Sequence, residues 1–440
     1  MGERLNIKKS TENRTKRTTI EPREKAILVG IKLPHQTLHQ VEESIKELAN
    51  LAITSGAEVA GDVVQIRDSF DPRYLIGLGK VNELSEIVNS LNSNTVIFDD
   101  ELTSSQQDKL NKKIGVKVID RTALILDIFA QHANSYEGKL QVELAQMNYL
   151  LPRLKGRGIE MSRLGGGIGT RGPGETKLEV DKRKIQKRIR LLKKEIEQLK
   201  VHRNVQRQKR KGKRIPLVSL VGYTNSGKST LLNFLCDSNV EVDNKLFVTL
   251  DPTIRRKEVD GGRVLLFSDT VGFIKKLPHQ LIAAFRSTLE DVKQSDILLH
   301  IIDSYHPNME EQIEAVNKVL VDIGANENII LMVFNKIDFL SRLEINRLKE
   351  RYQDGVFISA LKGNGIDILI KRLIKVIDRN TVEVILSIPY KNTNILSYLH
   401  ELGKVREKTY LENSIEVRVL IPKHALQRVE CFKIDKAVKA

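Results

Sequence analysis

The sequence has no tryptophan, and Phe and Tyr together supply only 5% of its 440 residues. It has two cysteines, Cys236 and Cys431, far apart in the chain. Two such thiols build neither a disulfide framework nor a Cys-based zinc site, so a reducing, cytosolic compartment is expected. No apolar run approaches the ~18 residues that a membrane-spanning helix needs. The opening stretch, MGERLNIKKSTENRTKR, is polar and basic with no apolar core. It reads as a loose basic tail over 1–24, not a signal peptide. Gly (27) and Pro (11) occur at ordinary abundance, which excludes collagen-like and low-complexity chains. The hydrophobic fraction of 40% is enough for several ordinary cores, and the length fits about three domains.

What is present is positive charge, and it is concentrated. The net charge is +16, and residues 151–214 alone hold 22 Lys and Arg against 6 Asp and Glu. The rest of the chain is neutral overall. A surplus confined to one segment is an electrostatic footprint for a polyanion, either nucleic acid or a membrane surface. The plainer alternative is a solvated basic helix with no partner.

The pattern predicts an α/β protein in four ordered parts after the tail. Residues 25–135 alternate strands (25–31, 94–100) with helical spacing (36–54, 80–91, 121–133), an N-terminal α/β domain with a largely parallel sheet. Its Gly77-Leu78-Gly79-Lys80 is too short for a phosphate loop and reads as a tight turn. Residues 136–214 predict a long basic helical hairpin. Leu140, Leu144, Met147 and Leu151 form one stripe, ended by Pro152. Leu178, Ile185, Ile189, Leu192, Ile196 and Leu199 form the other, with a capping box at Thr176–Glu179. Between them runs the glycine-rich stretch 163–175. No strand leads into it, which weakens a phosphate-cradle reading. A flexible connector is one alternative, and a partner-contacting tip is the favoured one. Residues 215–380 predict a P-loop G domain with a mixed sheet, and 381–440 a small α+β domain.

The chemistry is clearest in the third part. The strand Ile215–Val221 leads into Gly222-Tyr223-Thr224-Asn225-Ser226-Gly227-Lys228-Ser229 and then a helix beginning around Thr230. G-x-x-x-x-G-K-S between strand and helix is the confirming context of a P-loop. Its backbone N–H groups point at phosphates, Lys228 reaches the β and γ phosphates, and the Ser229 hydroxyl coordinates Mg²⁺. Asp269-Thr270-Val271-Gly272 ends a second strand. Asp269 is placed to hold Mg²⁺, and Gly272 to offer its N–H to the γ-phosphate. Asn335-Lys336-Ile337-Asp338 selects guanine, because the Asp338 carboxylate accepts from N1–H and the 2-amino group while adenine offers neither. Ser359-Ala360-Leu361 fits a backbone contact to guanine O6. Between the first two motifs, Leu246–Arg256 contains Phe247, Val248 and two threonines, Thr249 and Thr253. One should close over Mg²⁺ and the γ-phosphate, and Thr249 is favoured. The expected catalytic groups are thus Lys228, Thr249 and Gly272, with Ser229, Thr249 and Asp269 as metal ligands. Many small GTPases carry a water-orienting Gln after D-x-x-G. Here Phe273 stands in that position, so slow intrinsic hydrolysis accelerated by a partner is expected.

Several of these segments resemble the HflX family of ribosome-associated GTPases, in the Obg–HflX branch of translation-factor-related G proteins. They are Gly166–Thr176, Leu246–Thr253, Asp269–Phe273, Asp71–Lys80 and Phe98–Leu102, within similarity running from about residue 25 to 380. The resemblance implies binding to the large ribosomal subunit, ribosome-stimulated GTP hydrolysis, and splitting of stalled or idle ribosomes, notably under stress. It places the glycine-rich tip, here 164–175, near the peptidyl-transferase region, in agreement with the charge count for an rRNA contact through 151–214. An ATP-dependent RNA-remodelling activity is associated with the family's N-terminal part, but no second complete Walker motif supports it here.

The leading expectation is a GTP/GDP- and Mg²⁺-dependent switch, monomeric and cytoplasmic, that needs no membrane, although membrane association stays open as a second location. Its nearest alternative is an assembly factor for the large subunit. Others are an RNA-binding module with a structural nucleotide and a GTPase at a lipid surface, for which the absence of Trp is unfavourable.

Overall fold

The computed structural model describes residues 24–154, 177–213, 215–236, 247, 253–259, 263–276, 291–379, 381–392, 394–402, 404–422 and 426–434. The glycine-rich stretch, Thr176 and Thr249 lie outside them. The architecture is α/β, with a parallel first sheet, a mixed second sheet and an antiparallel third.

The first sheet has the order β2-β1-β3-β4, from β1 (Lys25–Lys32), β2 (Glu58–Ile66), β3 (Thr95–Phe98) and β4 (Lys117–Asp120), all parallel. β1, KAILVGIK, is buried on both faces, as a central parallel strand must be. Its alternation divides two cores. Ala26 and Leu28 pack with α1 (Leu38–Thr54) and α4 (Arg121–His132). Ile27, Val29 and Ile31 pack with α2 (Leu78–Ser90) and α3 (Ser104–Ile114). Capping boxes start α1 (Thr37 with Gln40) and α3 (Thr103 with Gln106). Gly77 is the N-cap of α2, so Gly77–Lys80 opens a helix where a tight turn was expected.

α5 (Tyr136–Arg153) and α6 (Lys177–Lys213) lie side by side. The predicted stripes meet from Ile185 on: Leu140, Leu144, Met147 and Leu151 pack against Ile185, Ile189, Leu192, Ile196 and Leu199, while the side chain of Leu178 lies outside those described. Arg188 grips Glu143 bidentately at 2.6 and 2.7 Å, and the Tyr136 hydroxyl donates to Glu195 at 3.0 Å, which fixes an antiparallel register. α5 runs one residue past Pro152, because a proline in the last turn loses little. At that end the buried Asp120 carboxylate accepts from Leu102 N, Tyr149 Oη and Arg153 Nη2 at 2.9–3.1 Å, pinning α5 to the first sheet.

The second sheet has the order β10-β9-β8-β5-β7-β6, with β6 (Ile254–Val259) antiparallel to β7 (Arg263–Ser268) and the other pairs parallel. Its remaining strands are β5 (Leu217–Gly222), β8 (Ile297–Asp303), β9 (Ile329–Asn335) and β10 (Val356–Phe357). α7 (Lys228–Cys236) and α10 (Ile366–Arg379) cover one face, α8 (Met309–Asp322) packs on the other, and α9 (Arg342–Arg351) buries none of its residues. The apolar cluster on the α8 side continues across to α1 and α4, so the two sheets share a core. The third sheet, β11-β13-β12, joins β11 (Thr381–Pro389), β12 (Lys404–Tyr410) and β13 (Ser414–Pro422), with α11 (Asn394–Leu402) on its apolar face. Among the described residues no helix is long and apolar enough to cross a membrane.

Candidate functional site

β5 sits between β7 and β8, and the chain leaving its carboxyl end turns over into α7. Two glycines make that turn sterically possible. A Cβ on Gly222 would lie 2.3 Å from Ile301 O, and one on Gly227 (φ 93°) 2.2 Å from Asn335 Nδ2. Asn335 ties the site together: its Nδ2 donates to Ser226 O and its Oδ1 accepts from Ala360 N, both at 2.9 Å. The P-loop and the Ser359–Leu361 segment are thereby held in one frame.

Lys228 is 6% exposed, and its Nζ donates to Tyr223 O at 2.7 Å and Gly222 O at 3.2 Å. Burial pushes its pKa down to about 8, against a smaller upward pull from Asp269. Ser229 Oγ donates to Asp269 Oδ2 at 2.7 Å, and Thr270 N donates to Asp269 Oδ1 at 2.9 Å. The Thr270 hydroxyl is anchored on Leu220 O at 2.6 Å. Thr230 is half-buried in the first turn of α7, and Asn225, at φ 59°, is exposed. Thr253, the second switch candidate, accepts from Asp269 N at 3.1 Å through its carbonyl oxygen, and its buried hydroxyl has no partner. Val248 and Thr249 lie outside the described residues.

The Asp269–Gly272 segment lies across the P-loop. Phe273 N donates to Gly222 O (3.1 Å), and Thr224 N donates to Phe273 O (2.8 Å). A Cβ on Gly272 would meet Thr224 Cγ2 at 2.8 Å and Lys228 Nζ at 3.2 Å. Val271 and Phe273 are buried in the shared core, with Phe247 (φ 60°) edge-on to Phe129 at 4.7 Å.

At the carboxyl end of β9, Lys336 (φ 66°) donates from Nζ to Asp303 Oδ2 at 2.6 Å. The Asp338 side chain is 6% exposed, with Lys362 at 3.7 Å. Ser359 and Ala360 are buried, and Leu361 is 73% exposed. Among the predicted site residues described, Asn335 links Ser226 to Ala360, and Ser229 meets Asp269, whereas Phe247, expected at the nucleotide, packs in the shared core against Phe129.

Sequence reasoning missed the groups behind the P-loop. The Tyr223 hydroxyl donates to Glu47 of α1 and accepts from Lys275 N at 2.7 Å. Arg121 binds Glu47 and, at 2.8 Å, Asp99, while Lys276 (φ 54°) binds Asp99 at 2.5 Å and Asp100 at 2.7 Å. Burial would raise Asp99, but Arg121 and Lys276 outweigh it and hold it below the usual carboxylate range. These residues come from distant stretches without a shared local pattern. Asp303 was missed too, although it is the polar end of the apolar run ILLHIID, a signal that could have found it.

A buried lysine on backbone carbonyls and a hydroxyl paired with a carboxylate at the end of a parallel strand suit a phosphate-bearing ligand. Residues 42–130 match the family described as GTP-binding GTPase N-terminal, 132–210 the GTP-binding GTPase Middle Region, and 217–336 the 50S ribosome-binding GTPase. The GTPase HflX of Caldanaerobacter subterraneus subsp. tengcongensis is 47% identical over 413 residues, covering 94% of each chain. That of Escherichia coli K12 is 41% identical over 404 residues, 91% of this chain and 94% of that one. A solved GTP-binding protein from Sulfolobus solfataricus in complex with GDP shares 27% identity at a TM-score of 0.42, covering 80% of this chain and 98% of that one. The chain belongs to the HflX family of GTPases, enzymes that bind guanine nucleotides and hydrolyse GTP.

Proposed function

We propose that the protein is a GTP-timed factor that binds the large ribosomal subunit through rRNA contacts of residues 151–214 and splits stalled or idle ribosomes under stress. The carrying observation is the charge: the whole net surplus of +16 resides in that one segment, beside a guanine-nucleotide site. The family description of residues 217–336, a 50S ribosome-binding GTPase, supports the same partner.

In this reading Gly222–Thr230 cradle the phosphates, and Lys228 neutralises charge that develops on the transferred phosphoryl group. Ser229 and Asp269 are the Mg²⁺ ligands, joined by Thr249 when GTP is bound. Among the described residues no cluster of three His, Cys, Asp or Glu forms a metal cage, and Mg²⁺ needs none, because one or two protein oxygens plus phosphates and water complete its shell. The short Ser229–Asp269 contact fits that donor set. When bound, the ion withdraws charge from the β- and γ-phosphate oxygens. Asp338, with Ala360 N–H, reads guanine. The Phe273 ring is only 2% exposed and has no hydrogen-bonding atom, which supports slow intrinsic turnover that the ribosome accelerates. The protein acts as a monomer in the cytoplasm.

The test incubates purified 70S ribosomes with the protein and GTP and resolves them on a sucrose gradient. Splitting lowers the 70S peak. An unchanged peak with retained 50S binding identifies an assembly factor instead. Stimulation of GTP hydrolysis by 50S subunits should fall steeply with salt, because binding through many phosphates releases counterions.

A further inference from the structure

Seven side-chain N or O atoms are buried without a hydrogen-bond partner among the described residues, and three of them are hydroxyls around the phosphate site. They belong to Thr224, Ser226 and Thr253. Buried hydroxyls are normally paired, so this concentration marks a place where a ligand completes the pairing.

The three are not equivalent. Ser226 Oγ lies 3.1 Å from the point where a Cβ on Gly222 would sit, inside the turn. Thr253 stands beside Asp269, on the metal side. Thr224, 8% exposed, puts its methyl Cγ2 at 2.8 Å and its Cα at 3.0 Å from the place a Cβ on Gly272 would take, with Lys228 Nζ next at 3.2 Å, and its hydroxyl branches from the same Cβ as that methyl. It therefore occupies the junction of the two groups that face a γ-phosphate. Its N–H is committed to Phe273 O, leaving the hydroxyl as its free donor.

The residue that follows D-x-x-G cannot serve the attacking water. Phe273 is apolar and buried, and its backbone N–H and C=O are both spent on the P-loop. We propose that Thr224 is a catalytic residue of GTP hydrolysis. Its hydroxyl donates a hydrogen bond to a γ-phosphoryl oxygen and accepts one from the attacking water, supplying in the P-loop the polar group that Phe273 lacks. The water oxygen bonds to the γ-phosphorus as the bond to the β–γ bridging oxygen breaks. The electron pair of that bond leaves on the GDP β-phosphate, and the proton shed by the water ends on the released phosphate. Thr224 is not consumed. The inference rests on reading Gly222–Ser229 as the phosphate cradle.

The experiment compares full-length Thr224→Val, Thr224→Ser and Lys228→Ala with the parent chain. It measures single-turnover GTP hydrolysis and the affinities for GDP and a non-hydrolysable GTP analogue. Valine keeps the shape and removes the hydroxyl. It should slow hydrolysis on the order of tenfold and weaken the analogue while GDP affinity stays within about threefold, and serine should recover most of the loss. Hydrolysis by the valine variant at the parent rate overturns the proposal. So does a parallel loss of GDP affinity, the mark of a packing role. Lys228→Ala separates the two claims. If it still binds GDP normally, the cradle assignment itself falls. If it loses GDP while valine is silent, only the role of Thr224 falls.

Discussion

The two parallel arrangements in this molecule bring charged residues to the carboxyl ends of their central strands, the usual ligand crevice of such sheets, and use them in opposite ways. Beyond β1 and β3, Asp99, Glu47, Arg121 and Lys276 face one another with both signs present, joined by the Ser44 hydroxyl on Asp99 at 2.7 Å. Beyond β5 and β7, a lysine rests on carbonyl oxygens and three hydroxyls are unpaired. A crevice whose charges neutralise each other holds parts of the protein together. A crevice with unspent donors suits an anionic ligand.

The contrast is tested most severely at the base pocket. Asp338→Asn should weaken GDP binding by about three orders of magnitude and restore tight binding of xanthosine diphosphate, whose C2 oxygen accepts from the new amide. Fluorescent-nucleotide titration reads both. Equal losses for both nucleotides would mean that the pocket had collapsed and would remove Asp338 from base recognition.

The filled crevice should respond in the other currency, stability. Arg121→Met strips the buried cation from Glu47 and Asp99 and should cost about 3–5 kcal/mol in urea unfolding. GDP affinity should stay within about threefold. A large loss of nucleotide affinity would show that the two crevices do not behave independently.

A pH series sharpens the same contrast. Nucleotide phosphates favour the charged form of Lys228, whose pKa in the free protein is about 8, so binding takes up a proton at higher pH. Below pH 8 this group leaves affinity flat. Above it, affinity should fall by up to about tenfold per unit until the pKa of the bound state is reached. Calorimetry in buffers of different ionisation enthalpy checks the proton uptake. The smallest effect belongs to Lys362→Ala. Its side chain is 58% exposed with Nζ 3.7 Å from Asp338, so GDP affinity should move by less than about threefold.

What the sequence disclosed follows the same division. The P-loop, Asp269–Gly272 and Asn335–Asp338 are short, ordered motifs, and the structure places them at the ends of β5, β7 and β9, as their spacing led one to expect. The hairpin stripes from Leu140 and Ile185 were equally plain, because helix periodicity repeats within a few residues. β2 was missed because EVAGDVVQI lies at an edge with mostly half-buried positions, so its alternation is blurred. The short β4 and the largely polar α3 were missed as well. The Glu47–Arg121–Asp99–Lys276 cluster was invisible because its members are far apart in the chain. Only folding gives them a common address.

The length of α6 carries a mechanical consequence. Its 37 residues make a rod of about 55 Å, and the stripe that grips α5 spans only Ile185 to Leu199. Three residues separate the end of the rod from β5, the strand that leads into Gly222. A rod of that length is a lever: a tilt of about ten degrees at one end sweeps the other through roughly 10 Å, by the rise per residue. The grip divides the rod into two arms, so a shift at the root by β5 is passed, reversed in direction, to the opposite end.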